Sequence, residues 1–242
     1  MSSRITCDVR ATAPVAVVRL RGALDLGTMR SVHRALNDAL IDQPEALVVD
    51  MAEVNVKDRL ALSVFAATAR RAEEWPAVPV MLCAPSPVAA RWLAETTTCR
   101  VVPVSVDCAE ATRVASATAT LRMRARLEPV AEACRRAREL VTDACTRWNL
   151  PDASGPAALV LSELVGNVVR HARTPMQVTV TLRRPYLHLA VVDGSRAPAR
   201  PGGTDLHAEG GRGLLLVREL AQRWGSVPAG QGKAVWAMLP AT

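Results

Sequence analysis

The apolar residues of the first hundred positions alternate between two spacings, and that alternation restricts the fold more than any other feature. Val15, Val17 and Leu20 lie in a β-branched run that ends at Gly22. Val32, Leu36 and Leu40 recur at every fourth residue, one face of an amphipathic helix over about 28–41. A short buried strand at Leu47, Val48 and Val49 ends in Asp50. A helix over 59–75, a strand over 78–83, a helix over 88–94 and an extended segment over 101–104 continue the series. Strands separated by helices predict an α/β layer built on a mostly parallel sheet.

Between Asp107 and Ala117 the sequence turns polar and small, so a domain boundary is expected near 115, giving units 1–115 and 116–242. The second unit should open with a strand over 118–125 and a helix buried through Val130, Cys134, Ala137, Val141, Ala144, Cys145 and Trp148. Pro151 to Pro156 reads as a break, followed by a helix over 157–172 and strands over 177–182 and 186–193. A loop rich in Pro and Gly then runs over 194–213, before a helix over 214–224 and a last strand over 234–239.

Charge separates the two units. Residues 1–115 balance 13 basic against 13 acidic side chains, whereas residues 116–242 carry 17 against 10, so the net +7 belongs to the second unit. An anionic ligand is therefore expected there. Five Trp with a single Phe and a single Tyr provide no aromatic interleaving for stacked bases, which argues against direct nucleic-acid binding. No apolar run approaches the roughly 20 residues a bilayer requires, so no membrane association and a cytoplasmic address are expected. The six cysteines lack metal-knuckle spacing, and in that compartment they read as reduced core residues.

The chemistry-bearing residues follow a fixed order in the second unit. Glu163, Asn167 and His171 are spaced i, i+4, i+8 and should share one helical stripe, with Leu161, Leu164, Val165 and Val168 on the buried side. A carboxylate and a carboxamide one turn apart can act as general base and Mg²⁺ ligand. Taken alone, such a pair is better explained by a solvated polar face. Asp193 then ends an apolar strand and precedes Gly194, and the cluster Gly210, Gly211, Arg212, Gly213 opens an apolar helix at Leu214. Glycines before a helix N-terminus let backbone N–H groups approach a phosphate.

In this order, Ser162-Glu-Leu-Val-Gly-Asn-Val-Val-Arg-His-Ala172, Val191-Val-Asp-Gly-Ser195 and Glu209-Gly-Gly-Arg-Gly-Leu-Leu-Leu-Val217, with Trp224-Gly225 and Lys233-Ala-Val-Trp236, resemble the ATP-binding domain shared by gyrase, histidine kinases and MutL. They are most similar to anti-sigma-factor serine kinases of actinobacterial type. The resemblance implies an α/β sandwich of the Bergerat type that binds ATP and Mg²⁺. It implies Glu163 as the base, Asn167 as the Mg²⁺ ligand and Asp193 as the acceptor for the adenine amino group. His171, Gly194, Gly210, Gly211, Arg212, Gly213 and Leu214 complete the implied nucleotide contacts. Gly166 stands where the family often has Thr, and it costs a helix about 1 kcal/mol against Ala.

Val17-Val-Arg-Leu-Arg-Gly-Ala-Leu-Asp-Leu26, Ala46-Leu-Val-Val-Asp-Met51 and Pro79-Val-Met-Leu-Cys83 resemble a STAS domain, the anti-sigma-factor-antagonist fold, with a β-sheet and flanking helices. Phosphorylatable members carry Asp-Ser-Ser-Gly-Leu after the second strand. Here Lys57-Asp-Arg-Leu-Ala-Leu-Ser63 places Arg59, Leu60 and Ala61 where Ser, Ser and Gly would stand, so no acceptor is expected there. The resemblances together imply a partner-switching regulator of transcription. It would be a serine kinase acting on a separate STAS-type antagonist, a protein that sequesters a sigma factor, or both. A non-catalytic, nucleotide-gated anti-sigma factor or adaptor is the alternative, and a homodimer is open to either.

Overall fold

A computed structural model describes residues 4–12, 14–96, 98–117, 121–197 and 212–241. The chain divides into two compact units, Met1–Ala119 and Thr120–Thr242.

The first unit is a five-stranded sheet in the order β1(Ile5–Thr12), β2(Val15–Leu24), β3(Ala46–Val56), β4(Val80–Cys83), β5(Val104–Ser105). The last four strands are parallel, as the alternation predicts. β1, a strand not among those expected, is an antiparallel edge strand paired with β2. Its sequence Ile5-Thr-Cys-Asp-Val9 alternates apolar and polar residues, the period of a strand with one wet face.

Side-chain parity on β3 shows how both faces of this sheet are covered. Leu47, Val49 and Met51 enter the core with Val32, Leu36 and Leu40 of α1(Met29–Ile41), with Val64 and Phe65 of α2(Ser63–Glu74), and with Ala89 and Leu93 of α3(Pro87–Glu95). Ala46 and Val48 point the other way, against Ala111 and Ala115 of α5(Cys108–Ala117). The segment expected to be extended at 101–104 is split between a short helix, α4(Thr98–Val101), and β5.

The cysteines depart from expectation. Cys83 at the end of β4 is disulfide-bonded to Cys108 at the start of α5, fastening that helix to its sheet face. Cys7, Cys99, Cys134 and Cys145 are free. Burial raises the pKa of the Cys7 and Cys145 thiols, which keeps them protonated and unreactive.

In the second unit a wholly antiparallel sheet runs β6(Leu121–Leu127), β7(Met176–Arg183), β8(Tyr186–Asp193), β10(Gly232–Pro240), β9(Arg223–Ala229). The opening strand is described from Leu121, and residues 118–120 of its expected span lie outside the described residues. Val178, Val180, Leu187, Leu189, Val191, Val235, Ala237 and Leu239 form one face, packed under α6(Ala133–Arg147) and α7(Pro151–Asn167), with Leu214 and Val217 of α8(Arg212–Leu220). Helices on one side of an antiparallel sheet make a two-layer sandwich.

Two expectations fail in this unit for identifiable reasons. Pro151 to Pro156 is not a break but the first turns of α7. Pro151 occupies N1, where its missing N–H has no intrahelical partner to lose, and Ala153, Ala157, Val160, Leu161 and Leu164 carry one apolar stripe through the Gly and Pro. Gly155 and Pro156 lie on the exposed side, where water can serve the carbonyl that Pro156 leaves unpaired. Trp224, expected at the end of a helix, lies in β9, because α8 stops at Leu220. Among the described residues no helix is long and apolar enough to cross a membrane.

Two outcomes follow. Maleimide labelling after denaturation without reductant should modify four cysteines, and six after reduction. Phe65→Ala, which empties a fully buried position, should lower the stability of the first unit in urea by about 3–5 kcal/mol.

Candidate functional site

Leu161, Leu164 and Val165 are buried, and their burial sends Glu163 and Asn167 out of the opposite side of α7. Glu163 reaches the N-terminus of α8, and a Cβ added at Gly213 would overlap its Oε2. Only glycine admits a carboxylate at that point. The helix end also favours negative charge there, because its first N–H groups have no partner within the helix. The helix with the E-x-x-x-N pair and the end of the glycine cluster are thus brought together. Leu214, next in that helix, is buried in the core below.

After Asn167 the helix widens into a π turn over Val168–Ala172, closed by Arg173 in the left-handed region at φ 53°. Each residue of a turn closed i→i+5 advances less around the axis. His171 therefore lags the i+8 position expected of it and stands exposed in that turn. Arg170, to which the sequence pattern assigns no role, takes its place beside the pair. Its guanidinium donates to Asn167 Oδ1 at 3.1 Å and lies 3.6 Å from Glu163 Oε2. Gly166 leaves room for that guanidinium, because a Cβ there would lie 3.1 Å from Arg170 Nη1. The i+3 and i+7 spacings from Asn167 and Glu163 are the signal in the sequence that could have found it.

Asp193 ends β8 between Met176 of β7 and Lys233 of β10, on the parity of Val191 and Val235 and therefore on the helix-covered face. Lys233 Nζ lies 3.0 Å from Asp193 Oδ1, with the two side chains 12% and 1% exposed. The Ser195 N–H donates to the same oxygen at 2.7 Å, and the Gly194 N–H donates to Thr174 Oγ1 at 2.9 Å. Gly232 lies against the Asp193 carbonyl so closely that a Cβ would overlap it. Arg196 fastens the following residues to the β9–β10 turn through the Gln231 carbonyl at 3.2 Å. With Lys233, Arg196 lines a cavity of about 300 Å³ beside β9 and Gly230.

Oxygen donors of this kind suit a hard divalent cation. Asn167 Oδ1 and the Glu163 carboxylate face one another across Arg170, and Asp193 Oδ2 is buried with no hydrogen-bond partner among the described residues. Gly210 and Gly211 lie outside the described residues, as does the side chain of Arg212, whose backbone begins α8.

In the first unit, Asp58 caps a 3-10 turn over Arg59–Leu62 by accepting from the Leu60 N–H at 2.8 Å. Leu60 is exposed, Ala61 and Leu62 are buried, and Ser63 spends its hydroxyl proton on the Leu60 carbonyl at 2.7 Å.

Residues 6–111 match the family model of the STAS domain, and residues 123–239 match that of the histidine kinase-like ATPase domain. The anti-sigma-F factor antagonist RsfB of Mycobacterium tuberculosis, in two strains, is 33% identical over 67 residues, 28% of this chain and 55% of that protein. The chain therefore spans about half the length of the curated relatives it matches. An anti-sigma factor antagonist from Mycobacterium paratuberculosis, 24% identical, superposes over 47% of this chain and 95% of its own, with a TM-score of 0.42. A structure of RsbU and RsbW domains from Mycobacterium tuberculosis, 14% identical, covers 49% of this chain and 31% of its own, with a TM-score of 0.39.

Removing one partner of a buried ion pair leaves the other charged and desolvated. Lys233→Met should therefore destabilise the second unit by about 3–5 kcal/mol in urea. Adding Asp193→Asn should return part of that loss, since the two changes remove a single interaction.

Proposed function

Starting from a chain that consists of a STAS domain followed by a histidine kinase-like ATPase domain, we propose an ATP-dependent regulator that works by partner switching. Its second unit binds ATP and transfers the γ-phosphoryl group to a serine of a separate STAS-type antagonist, and that unit also offers a surface for a sigma factor. The observation that carries this reading is the meeting of Glu163 with Gly213 at the start of α8, one helical turn from Asn167.

Each group has a role consistent with its placement. Asp193, fixed at the end of β8, accepts from the base of the nucleotide. The N–H groups at the start of α8, with the glycines before it, hold phosphate oxygens. Asn167 would hold Mg²⁺, which supplies charge neutralisation on the phosphates when bound. Glu163 takes the proton from the attacking serine hydroxyl while the serine oxygen bonds to the γ-phosphorus. The bond from that phosphorus to the β–γ bridging oxygen breaks, ADP leaves, and the proton remains on Glu163. Arg170 must swing off Asn167 and Glu163 before this occurs, and then has phosphate oxygens as its next acceptors.

The first unit is read as a docking or inhibitory module. Arg59, Leu60 and Ala61 offer no hydroxyl where an antagonist would carry its acceptor, and the Ser63 hydroxyl is tied to the Leu60 carbonyl. A tethered copy of the substrate fold that cannot be phosphorylated competes with free antagonist at high effective concentration. A non-catalytic, nucleotide-gated anti-sigma factor is the second reading, and the seat of Arg170 on both Asn167 and Glu163 favours it.

Incubation with labelled ATP and a serine-bearing STAS antagonist decides between them. Transfer should fall by about 10²–10⁴-fold in Glu163→Gln, with ATP binding retained. Transfer that is insensitive to the substitution would remove the catalytic assignment. Antagonist binding that depends on ATP without any transfer would establish the second reading.

A further inference from the structure

The Asp193–Lys233 pair is only half satisfied. Asp193 Oδ1 accepts twice, from Lys233 Nζ at 3.0 Å and from the Ser195 N–H at 2.7 Å. Oδ2 is equally buried and accepts from nothing among the described residues. A buried carboxylate oxygen without a donor is costly, and an ion pair serving stability alone would satisfy both oxygens. Lys233 has three donors, and its contacts among the described residues are Asp193 Oδ1 and, at 3.4 Å, the Ser195 carbonyl. The pair therefore leaves one buried carboxylate oxygen and the remaining N–H capacity of one ammonium without a partner among the described residues.

The backbone holds this arrangement in place. Lys233 pairs with Asp193 across β10 and β8, and Gly232 brings the strand start against the Asp193 carbonyl. Arg196 ties the residues after Asp193 to Gln231, so Ser195 and Lys233 are fastened from both sides.

We propose that Lys233 is a base-reading residue of the nucleotide site, acting as a fixed pair with Asp193. The complementary ligand edge is an exocyclic amino group beside a ring nitrogen that accepts. Asp193 Oδ2 takes a hydrogen bond from the amino group, and Lys233 donates to the ring nitrogen. Adenine has that edge in N6 and N1. A 6-oxopurine bearing a 2-amino group would bring two donors to the carboxylate, and Oδ1 is already taken. This inference rests on the reading of the second unit as a nucleotide site, and it adds a second residue to the recognition of the base.

The test is the affinity of the full-length chain for ATP, for 1-deaza-ATP, whose ring nitrogen is replaced by C–H, and for purine riboside triphosphate, which lacks the amino group. The wild-type chain should bind each analogue roughly 10- to 100-fold more weakly than ATP, the range for hydrogen bonds to charged groups. Lys233→Met should bind ATP and 1-deaza-ATP equally while still discriminating against the analogue without the amino group, and Lys233→Arg should recover the preference for ATP. Equal binding of ATP and 1-deaza-ATP by the wild type would overturn the role of Lys233 and leave the nucleotide reading standing. No binding of ATP by the wild type would overturn both. Because Lys233→Met loses a buried partner, the wild-type comparison alone decides the question if that variant does not fold.

Discussion

Burial of the apolar stripe of α7 against the central strands of the second sheet is the constraint from which the site follows. Leu161, Leu164 and Val165 lie in one cluster with Leu189 and Val191 of β8 and Val235 and Ala237 of β10. Close packing leaves a helix so engaged little freedom to rotate or slide. Glu163 and Asn167 must then leave the other side of α7, and Asp193, two residues beyond Val191 on the same face, must stand at the end of that core. One hydrophobic contact thus sets the positions of three polar groups drawn from two separate stretches of chain. Gly213 completes the arrangement because the space where its Cβ would lie is filled by the Glu163 carboxylate.

Residues whose roles depend on regular spacing are legible in the sequence itself. Glu163 and Asn167 are one helical turn apart, Asp193 ends a strand with the bounds its apolar run predicts, and Gly213 lies in the first turn of α8. Legibility is lost where local rules yield to a longer-range requirement. Pro151 and Pro156 are strong breaking signals, yet the apolar period of α7 runs through them because both residues fall on the wet side. The π turn after Asn167 moves His171 off its expected stripe and has no simple sequence marker. The Cys83–Cys108 bond joins a strand end to a helix start 25 residues later, whereas a reducing compartment would favour free thiols. Lys233 is marked in the sequence only as the first residue of the Lys233-Ala-Val-Trp236 stretch, just before the expected strand, and its register opposite Asp193 is visible only in the structure.

The same distinction applies to the first unit. Alternating parity on β3 dictates that both faces of its sheet be covered, and α1, α2 and α3 on one side with α5 on the other meet that demand. The 3-10 turn after Asp58 keeps Ala61 and Leu62 buried while Leu60 stays exposed. Arg59, Leu60 and Ala61 of that turn carry no hydroxyl that could accept a phosphoryl group.

The charges of the site explain which of its contacts can yield to a ligand. Each carboxylate already has a cation: Arg170 lies by Glu163, and Lys233 by Asp193. Under the proposed function, binding an anionic nucleotide with its metal would be an exchange of partners rather than the filling of bare charge. Arg170 is 48% exposed and Glu163 30%, and a pair so solvated is worth about 0–1 kcal/mol, so it opens at little cost. Breaking the enclosed Asp193–Lys233 pair would cost about 3–5 kcal/mol, more than one neutral hydrogen bond from a base returns. Exchange is thus confined to the α7 end, where phosphate and metal would arrive. On the proposed reading, the β8–β10 end would stay intact and meet the base through the one carboxylate oxygen that its own lysine leaves open.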